Sequence, residues 1–218
     1  METTSSSIFA NPSALTYTSI PSPALTSNAV FKFHSTLPTY NGPTNLIPLP
    51  ILAKSLNLQN LFLKNESFRF GDLPSFKPLG LSWAIRNAII AELSEEASTP
   101  IPEDIPLSEL ASRAKEGQIK LIAASDGKLG KAVARLGKLF GVQGINTRIF
   151  IPEGAAEEVK WGVKEEGAEV LQVAGNFEDA MREACLHAVA VDGILIDIDE
   201  VENYEDVPRV TLLYPHSV

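Results

Sequence analysis

Residues 119–151 read IKLIAASDGKLGKAVARLGKLFGVQGINTRIFI, a stretch in which apolar runs alternate with glycine-bearing segments. The pattern predicts a strand at Ile119–Ala124, a helix at Lys131–Phe140 and a strand at Thr147–Ile151. It continues with a helix at Ala155–Glu166, a strand at Ala168–Val173, a helix at Phe177–Val191 and a strand at Gly193–Asp197. Strands that alternate with helices need crossover connections, so we expect an α/β fold with a parallel sheet.

The N-terminal half of the chain has a different pattern. Residues 1–40 are rich in Ser, Thr, Pro and Ala, and this composition predicts a flexible arm. Beyond the arm we predict a short helix at Leu49–Leu56, a short strand at Asn60–Lys64 and a longer helix from Pro78 to about Glu96. The prolines within Ala97–Leu107 predict a linker before the α/β region.

Composition and charge restrict the function. The formal net charge is -9 and no basic cluster is present, which argues against a nucleic-acid groove. No apolar run is long enough to span a bilayer, so we expect no membrane partner. Cys185 is the single cysteine, which excludes an internal disulfide and fits a reducing compartment. We therefore expect a cytoplasmic protein.

The loop Ser125–Gly130 is the first candidate for a binding site. It follows the first strand of the α/β region, and ligands of parallel sheets bind beyond the carboxyl ends of strands. The loop matches neither the three-glycine dinucleotide fingerprint nor a phosphate-binding loop, which disfavours a nucleotide-binding Rossmann unit. A second interpretation is that Gly127 and Gly130 only permit the turn. The local pattern leaves both interpretations open.

Lys77 is the second candidate. It stands between Phe76 and Pro78 at a predicted helix start. A lysine with apolar neighbours at the positive end of a helix is suited to attack a carbonyl group. On the local pattern alone, a solvated surface lysine is the commoner interpretation.

The remaining histidines and carboxylates give weaker signals. His34, His187 and His216 have no metal-ligand spacing among themselves or with Cys185, so we expect no metal site. Acidic residues cluster after the last predicted strand, and we interpret them as a solvated acidic loop. The cluster comprises Asp197, Asp199, Glu200 and Glu202.

Two motifs around Lys77 resemble a known family. Leu63–Gly71 reads LKNESFRFG and Leu73–Gly80 reads LPSFKPLG. Both resemble the cofactor-lysine segment of diaminopropionate ammonia-lyases, pyridoxal-phosphate enzymes of the tryptophan synthase β-like group, fold type II. The loop that begins at Ala124 resembles the Asp-Gly-Asn-His-Gly loop of that family. Shorter matches extend the resemblance from roughly Phe33 to Arg209.

The resemblance implies a cofactor, an activity and site residues. Lys77 would be the lysine that binds pyridoxal 5'-phosphate, and Asp126 would be the acid/base carboxylate. With Lys77, Gly127 and Lys128 would contact the cofactor. The implied reaction is α,β-elimination of ammonia from a small amino acid. The chain departs from the family where Lys128 and Leu129 replace the Asn and His of the loop, and Asp72 is an additional residue.

The resemblance also implies a domain organisation. The N-terminal arm would cover 1–40, a partial large-domain segment with Lys77 would cover 41–96, and a three-layer small domain with a divergent tail would cover 97–218. Family members continue for on the order of a hundred further residues, the size of a domain. We therefore expect a C-terminally truncated chain with an incomplete large domain.

Truncation leads to two expectations. The first concerns function: either a lyase impaired by truncation, or a non-catalytic paralogue or interaction module that does not bind the cofactor productively. The second concerns the apolar face of the partial large domain, which would lack its partner sheet and would make the N-terminal half labile. A second copy of the chain or a docking partner would cover this apolar face. That face comprises Leu61, Leu63, Leu79, Ile85, Ile89 and Ile90.

Overall fold

The computed structural model describes residues 28–197, which form seven helices and six strands. The N-terminal part contains α1 (Ala29–Thr36), β1 (Leu46–Pro48), α2 (Pro50–Ser55), β2 (Phe62–Lys64), α3 (Lys77–Glu96) and α4 (Leu107–Glu116). The C-terminal part contains β3 (Leu121–Ala124), α5 (Lys128–Leu139), β4 (Gly144–Pro152), α6 (Glu157–Glu165), β5 (Ala168–Val173), α7 (Phe177–Val191) and β6 (Ile194–Leu195). The predicted alternation of strands and helices is present.

The C-terminal strands form one parallel sheet in the order β5-β4-β3-β6. Leu121 of β3 pairs with Thr147 on one side and with Ile194 on the other, so β3 is an inner strand. Helices cover both faces because alternate side chains of the strands are buried on opposite sides. The predicted three-layer α/β fold with a parallel sheet is therefore confirmed.

The two faces of the sheet contribute to two hydrophobic cores. Leu121 and Ile149 belong to the larger core, which also contains side chains of α3, α4, α5 and α6. Ile122 and Phe150 point to the opposite face. There, α7 packs with three alanines at a spacing of four residues, which form a flat stripe. The stripe consists of Ala180, Ala184 and Ala188.

Close packing of α5 on the sheet depends on two glycines. A Cβ atom at Gly130 would lie 2.8 Å from the Ile149 Cγ2 atom, and one at Gly137 would lie 2.5 Å from the Thr147 Oγ1 atom. The two positions are seven residues apart, so they lie on the same face of the helix. The helix also begins three residues before its predicted start, which places Lys128 and Gly130 in its first turn.

The predicted flexible arm is wrong from Ala29 onward. Helix α1 buries Val30, Phe33 and His34, and Phe33 packs against Trp83 of α3 with 5.5 Å between ring centroids. Residues 1–27 of the predicted arm lie outside the described residues. A second difference is α4, which begins directly after the proline-rich linker and had no predicted counterpart, although Pro106 at its N-cap is compatible with a helix start.

The predicted exposure of α3 is also wrong. Leu79, Ile85 and Ile89 are at most 1% exposed, because α4 and α5 cover the face that was expected to lack a partner. Leu63, by contrast, is 51% exposed. The predicted boundary at residue 97 therefore does not separate two cores within 28–197. No helix in this part of the chain combines the length and apolar composition needed to cross a membrane.

Candidate functional site

Lys77 and the loop after β3 face each other across a cleft of about 120 Å3. Lys77 is the first residue of α3, and the loop connects the carboxyl end of β3 to α5. The lining residues are Lys77, Ser125, Asp126, Lys128, Leu129, Phe177 and Asp197. The structure thus brings together three of the four residues selected from the sequence. Lys77 is half-buried, whereas Asp126 and Lys128 are exposed.

Gly127, the fourth selected residue, does not line the cleft. Its backbone N–H group donates a hydrogen bond to the Oγ atom of Ser125 at 3.0 Å, within the loop itself. A Cβ atom at Gly127 would meet no atom within 4 Å, so packing does not require glycine there. Gly130 is different, because its close approach to Ile149 makes it a packing residue.

Ser125 organises the loop, a role that the sequence analysis did not assign to it. Its side chain is buried, and its Oγ atom accepts hydrogen bonds from the N–H groups of Gly127 and Gly130 at 3.0 and 2.8 Å. These N–H groups belong to the start of α5, where unpaired donors otherwise attract anions. The Oγ atom of Ser125 therefore occupies two of the backbone N–H donors that an anionic ligand would need.

Asp197 lies at the carboxyl end of β6 and is only 2% exposed. The interpretation as a solvated loop residue is therefore wrong for Asp197, while Asp199, Glu200 and Glu202 lie outside the described residues. Burial raises the pKa of the Cys185 thiol, and the charge of Asp197 adds to this increase. The signal that predicts Asp197 is strand order: β6 adjoins β3, so their carboxyl ends meet at one edge.

Phe177 is the other lining residue that sequence reasoning missed. It is the first residue of α7, whose start is fixed by a capping box between Asn176 and Asp179. The Asn176 Oδ1 atom accepts from the Asp179 N–H group at 3.1 Å, and the Asp179 Oδ2 atom accepts from the Asn176 N–H group at 2.9 Å. This cap places an aromatic ring beside the loop after β3.

The first turn of α3 is held in place by α1. The Nε2 atom of His34 lies 2.9 Å from the carbonyl oxygen of Leu79 and 3.1 Å from the Oγ atom of Ser82. Burial lowers the pKa of His34 to about 4, while the hydrogen bond to Leu79 opposes this shift. The Oγ atom of Ser75 accepts from the backbone N–H of Lys77 at 3.2 Å. Neutral His34 and Ser75 thus fix the backbone from which Lys77 projects.

The segment before Lys77 is anchored by two arginines. Arg69 is 1% exposed and forms two hydrogen bonds with the Glu66 carboxylate, both 2.7 Å long. Its guanidinium holds the pKa of Glu66 below the usual range. Arg135 of α5 donates to the carbonyl oxygen of Phe70 at 3.1 Å and pairs with Asp72 at 2.6 Å. The resemblance motif therefore folds onto the α/β core next to the cleft.

Metal binding finds no support in the part of the chain that the structure describes. Across residues 28–197, no group of three or more His, Cys, Asp and Glu side chains is arranged to hold a metal ion. The groups that line the cleft include two amines, two carboxylates and one aromatic ring.

Comparisons with known proteins show what the chain is similar to. The family described as pyridoxal-phosphate dependent enzyme matches residues 37–205. Diaminopropionate ammonia-lyase of Salmonella typhimurium is 28% identical over 179 residues, which cover 82% of this chain and 43% of that protein.

Solved structures of related proteins are similar over most of this chain. The holo form of diaminopropionate ammonia lyase from Escherichia coli superimposes with a TM-score of 0.74 at 26% identity, covering 90% of this chain and 48% of that one. The same enzyme in complex with D-serine gives a TM-score of 0.73 at 26% identity, covering 89% and 48%. The chain thus spans less than half the length of these relatives.

Proposed function

The chain belongs to the family of pyridoxal-phosphate dependent enzymes, and from this premise we propose that its cleft is part of an ammonia-lyase site. The proposed reaction is α,β-elimination of ammonia from a small amino acid of the diaminopropionate type. The observation that supports it best is the juxtaposition of Lys77 and Asp126 in one cleft. The relatives named diaminopropionate ammonia-lyase, one of them solved with D-serine, support the substrate class.

The residues of the cleft fit the aldehyde end of pyridoxal 5'-phosphate. Lys77 offers an amine on a rigid helix start, and Phe177 offers an apolar ring. The volume of about 120 Å3 is below the roughly 300–1,000 Å3 of pockets that enclose a ligand. Ser125 also occupies donors that a phosphate would use. Lys77 and Phe177 would therefore hold the aldehyde end, while the phosphate needs other groups.

The proposed roles follow from this placement. When bound, the cofactor supplies an electron-withdrawing ring that stabilises negative charge on the substrate. Lys77 would hold the cofactor through its Nζ atom. Asp126 would accept the proton from the α-carbon at a carboxylate oxygen, because it is the carboxylate that the loop after β3 contributes to the cleft. The exposure of Asp126 means that bound substrate itself must exclude water from this carboxylate.

A second candidate function is a non-catalytic paralogue or an interaction module. Lys128 favours it, because this side chain lines the cleft where the family loop carries Asn. An ammonium group has no acceptor, so it cannot replace an amide that both donates and accepts. The small volume of the cleft favours the same alternative.

Cofactor binding separates the two candidates. We expect the chain to develop an absorbance band with added pyridoxal 5'-phosphate, and borohydride reduction to leave the added mass on the peptide with Lys77. Lys77→Ala removes the reactive amine and should abolish both signals. Ammonia release from diaminopropionate then tests the elimination. A normal adduct without ammonia release supports a non-catalytic paralogue, and a Lys77→Ala variant with an undiminished adduct excludes the proposed site.

Lys128→Asn is the matched test of the loop. The substitution restores the amide of the family and leaves buried Leu129 untouched, so the core is not disturbed. We expect about tenfold tighter binding of the cofactor, equivalent to roughly 1.4 kcal/mol. Lys131→Asn, one turn further along α5 and outside the cleft lining, is the control for loss of charge. Equal or weaker cofactor binding by Lys128→Asn contradicts the assignment of Lys128 to the cofactor.

We propose a cytoplasmic location for this activity. The single cysteine supports it, since one cysteine cannot form the internal disulfides of a disulfide-stabilised secreted domain. Fractionation of cells that express the tagged chain tests the location, and recovery of the chain in an organelle fraction contradicts it.

A further inference from the structure

A larger cavity lies where α1 packs beside α3. It encloses about 440 Å3 between α1, α3 and the loop before α4, compared with about 120 Å3 for the Lys77 cleft. This volume falls within the roughly 300–1,000 Å3 typical of small-molecule sites. Phe33, Trp83 and Leu110 supply apolar walls. None of the residues assigned to the proposed lyase site lines this cavity.

Among the described lining residues, Arg86 is the charged residue that is buried, with 4% of its surface exposed. Its guanidinium carbon lies 5.5 Å from the ring centroid of Phe33 and 4.9 Å from that of Trp83. One nitrogen donates to the Asn87 Oδ1 atom at 3.0 Å, and another donates to the backbone carbonyl oxygen of Glu103. A guanidinium has five N–H donors, so three remain available after these two bonds.

No carboxylate of residues 28–197 forms an ion pair with Arg86. Burial lowers the pKa of Arg86, and the nearby charge of Glu103 only partly opposes this effect. A buried guanidinium without a carboxylate partner costs free energy that a bound carboxylate would offset through charge-assisted hydrogen bonds. A carboxylate bound beside Arg86 would supply the missing ion pair.

The exposed rim adds charges of both signs. Glu103 and Asp104 contribute two carboxylates, and Lys32 joins Arg86 as a second cation. Among the described lining residues the charges balance, two of each sign, which disfavours a phosphate dianion and suits a ligand that is neutral overall. From these charges and the apolar walls, we propose that the cavity binds a zwitterionic α-amino acid with an apolar side chain.

The proposed pose uses each group once. The ligand carboxylate binds the remaining donors of Arg86, the ammonium group binds Glu103 or Asp104, and the apolar side chain packs on Phe33 and Leu110. Arg86 and Lys77 are nine residues apart on α3, which corresponds to roughly 13–14 Å along the helix. This binding site is therefore separate from the cleft and does not depend on the proposed elimination.

Binding of phenylalanine and two analogues to the full chain tests the proposal. Calorimetry or ligand-observed NMR should show saturable binding of phenylalanine. We expect at least tenfold weaker binding of 3-phenylpropionate, which lacks the ammonium group, and of phenethylamine, which lacks the carboxylate. Absence of saturable binding, or equal binding of all three compounds, overturns the proposal.

Variants of the rim and of Arg86 assign the ligand groups. Glu103→Gln combined with Asp104→Asn changes exposed side chains and keeps the backbone carbonyl that bonds Arg86. This double variant should lose the preference for phenylalanine over 3-phenylpropionate. Arg86→Met should weaken the binding of phenylalanine and of 3-phenylpropionate by tenfold or more, because both ligands carry the carboxylate. If a thermal melt shows that Arg86→Met is unfolded, the double variant decides, because an unchanged preference for phenylalanine in the double variant overturns the pose.

Lys77→Ala is the control for the position of the site. Loss of phenylalanine binding in this variant would place the ligand in the cleft and refute the proposal.

Discussion

The hairpin segment, residues 46–64, and helix α3 follow one another in the chain but differ in their surroundings. In the hairpin segment, Ile51 is 87% exposed and Phe62 is 51% exposed. In α3, Ile85 and Ile89 are 0% exposed. Both segments are rich in apolar residues, so apolar content alone does not determine which one is buried.

The difference is the presence of a second layer. Helix α3 has buried side chains on several sides, and it packs against α5, α4 and α1. The hairpin pairs only β1 with β2, and Leu46 and Ile47, which point to opposite faces, are 58% and 38% exposed. A two-stranded ribbon without a packed face is marginally stable in water. Stability should therefore depend on α3 far more than on the hairpin.

The largest effect should come from one isoleucine in each segment. Ile85→Ala removes a fully buried side chain and leaves a cavity, so we expect a loss of about 2–5 kcal/mol in the free energy of unfolding. Ile51→Ala is the matched control and should change it by less than about 0.5 kcal/mol, since this side chain is exposed. Urea unfolding of both variants measures the difference. Equal losses would show that the hairpin segment is packed in solution.

Acid should weaken the attachment of α3 to α1. The pKa of His34 is about 4 in the folded chain and about 6.5 when unfolded, so the unfolded state binds the proton first as the pH falls. The contribution of His34 is complete above pH 6.5 and declines toward pH 4, by roughly 3 kcal/mol in total at 1.36 kcal/mol per pKa unit.

The control for this effect is His34→Gln, whose amide can still donate to the Leu79 carbonyl but does not titrate. Unfolding of both proteins at pH 7, 5.5 and 4.5 gives the difference that belongs to His34. Parallel stability curves for the two proteins would show that α1 does not bury a neutral imidazole against α3.

The sheet was predictable from the sequence because its strands are local apolar runs between turn residues. Ala168–Val173 was predicted with the bounds that the structure shows. Helix α1 was not predicted, since the composition of residues 1–40 gave no sign that Phe33 meets Trp83 and Phe140. Burial of α3 depends on contacts distant in sequence, which periodicity does not report.

The same distinction applies to the cleft. Lys77 and Asp126 were selected from motifs that are continuous in sequence, and both line the cleft. Asp197 was assigned to solvent because its burial depends on the pairing of β6 with β3, a contact between residues more than seventy positions apart. Gly127 was selected as a cofactor contact by resemblance to the family loop, and in the structure its N–H group donates to the Oγ atom of Ser125.

A smaller effect should follow from the anchor between the hairpin and α3. Arg135→Ala removes the ion pair with the largely buried Glu166 carboxylate and the hydrogen bond to Phe70, for an expected loss of about 1–3 kcal/mol. Asp72→Ala removes only a partner that is 81% exposed, so the loss should stay below about 1 kcal/mol. Hydrogen exchange at residues 70–73 should increase in the first variant alone. An equal increase in the second would assign the anchor to Asp72.

The smallest effect on folding, and the clearest effect on association, should come from the hairpin surface. Replacing Ile51 and Phe62 together by Lys removes exposed apolar area, so the free energy of unfolding should change by less than about 0.5 kcal/mol. Because contiguous exposed apolar surface promotes association, the double variant should shift light-scattering mass toward the monomer. Gln59→Lys adds positive charge to an exposed polar position of the same segment and should leave association unchanged. If Gln59→Lys lowers the light-scattering mass as much as the double variant does, charge repulsion explains the shift. If neither variant alters the mass, the hairpin surface does not mediate association.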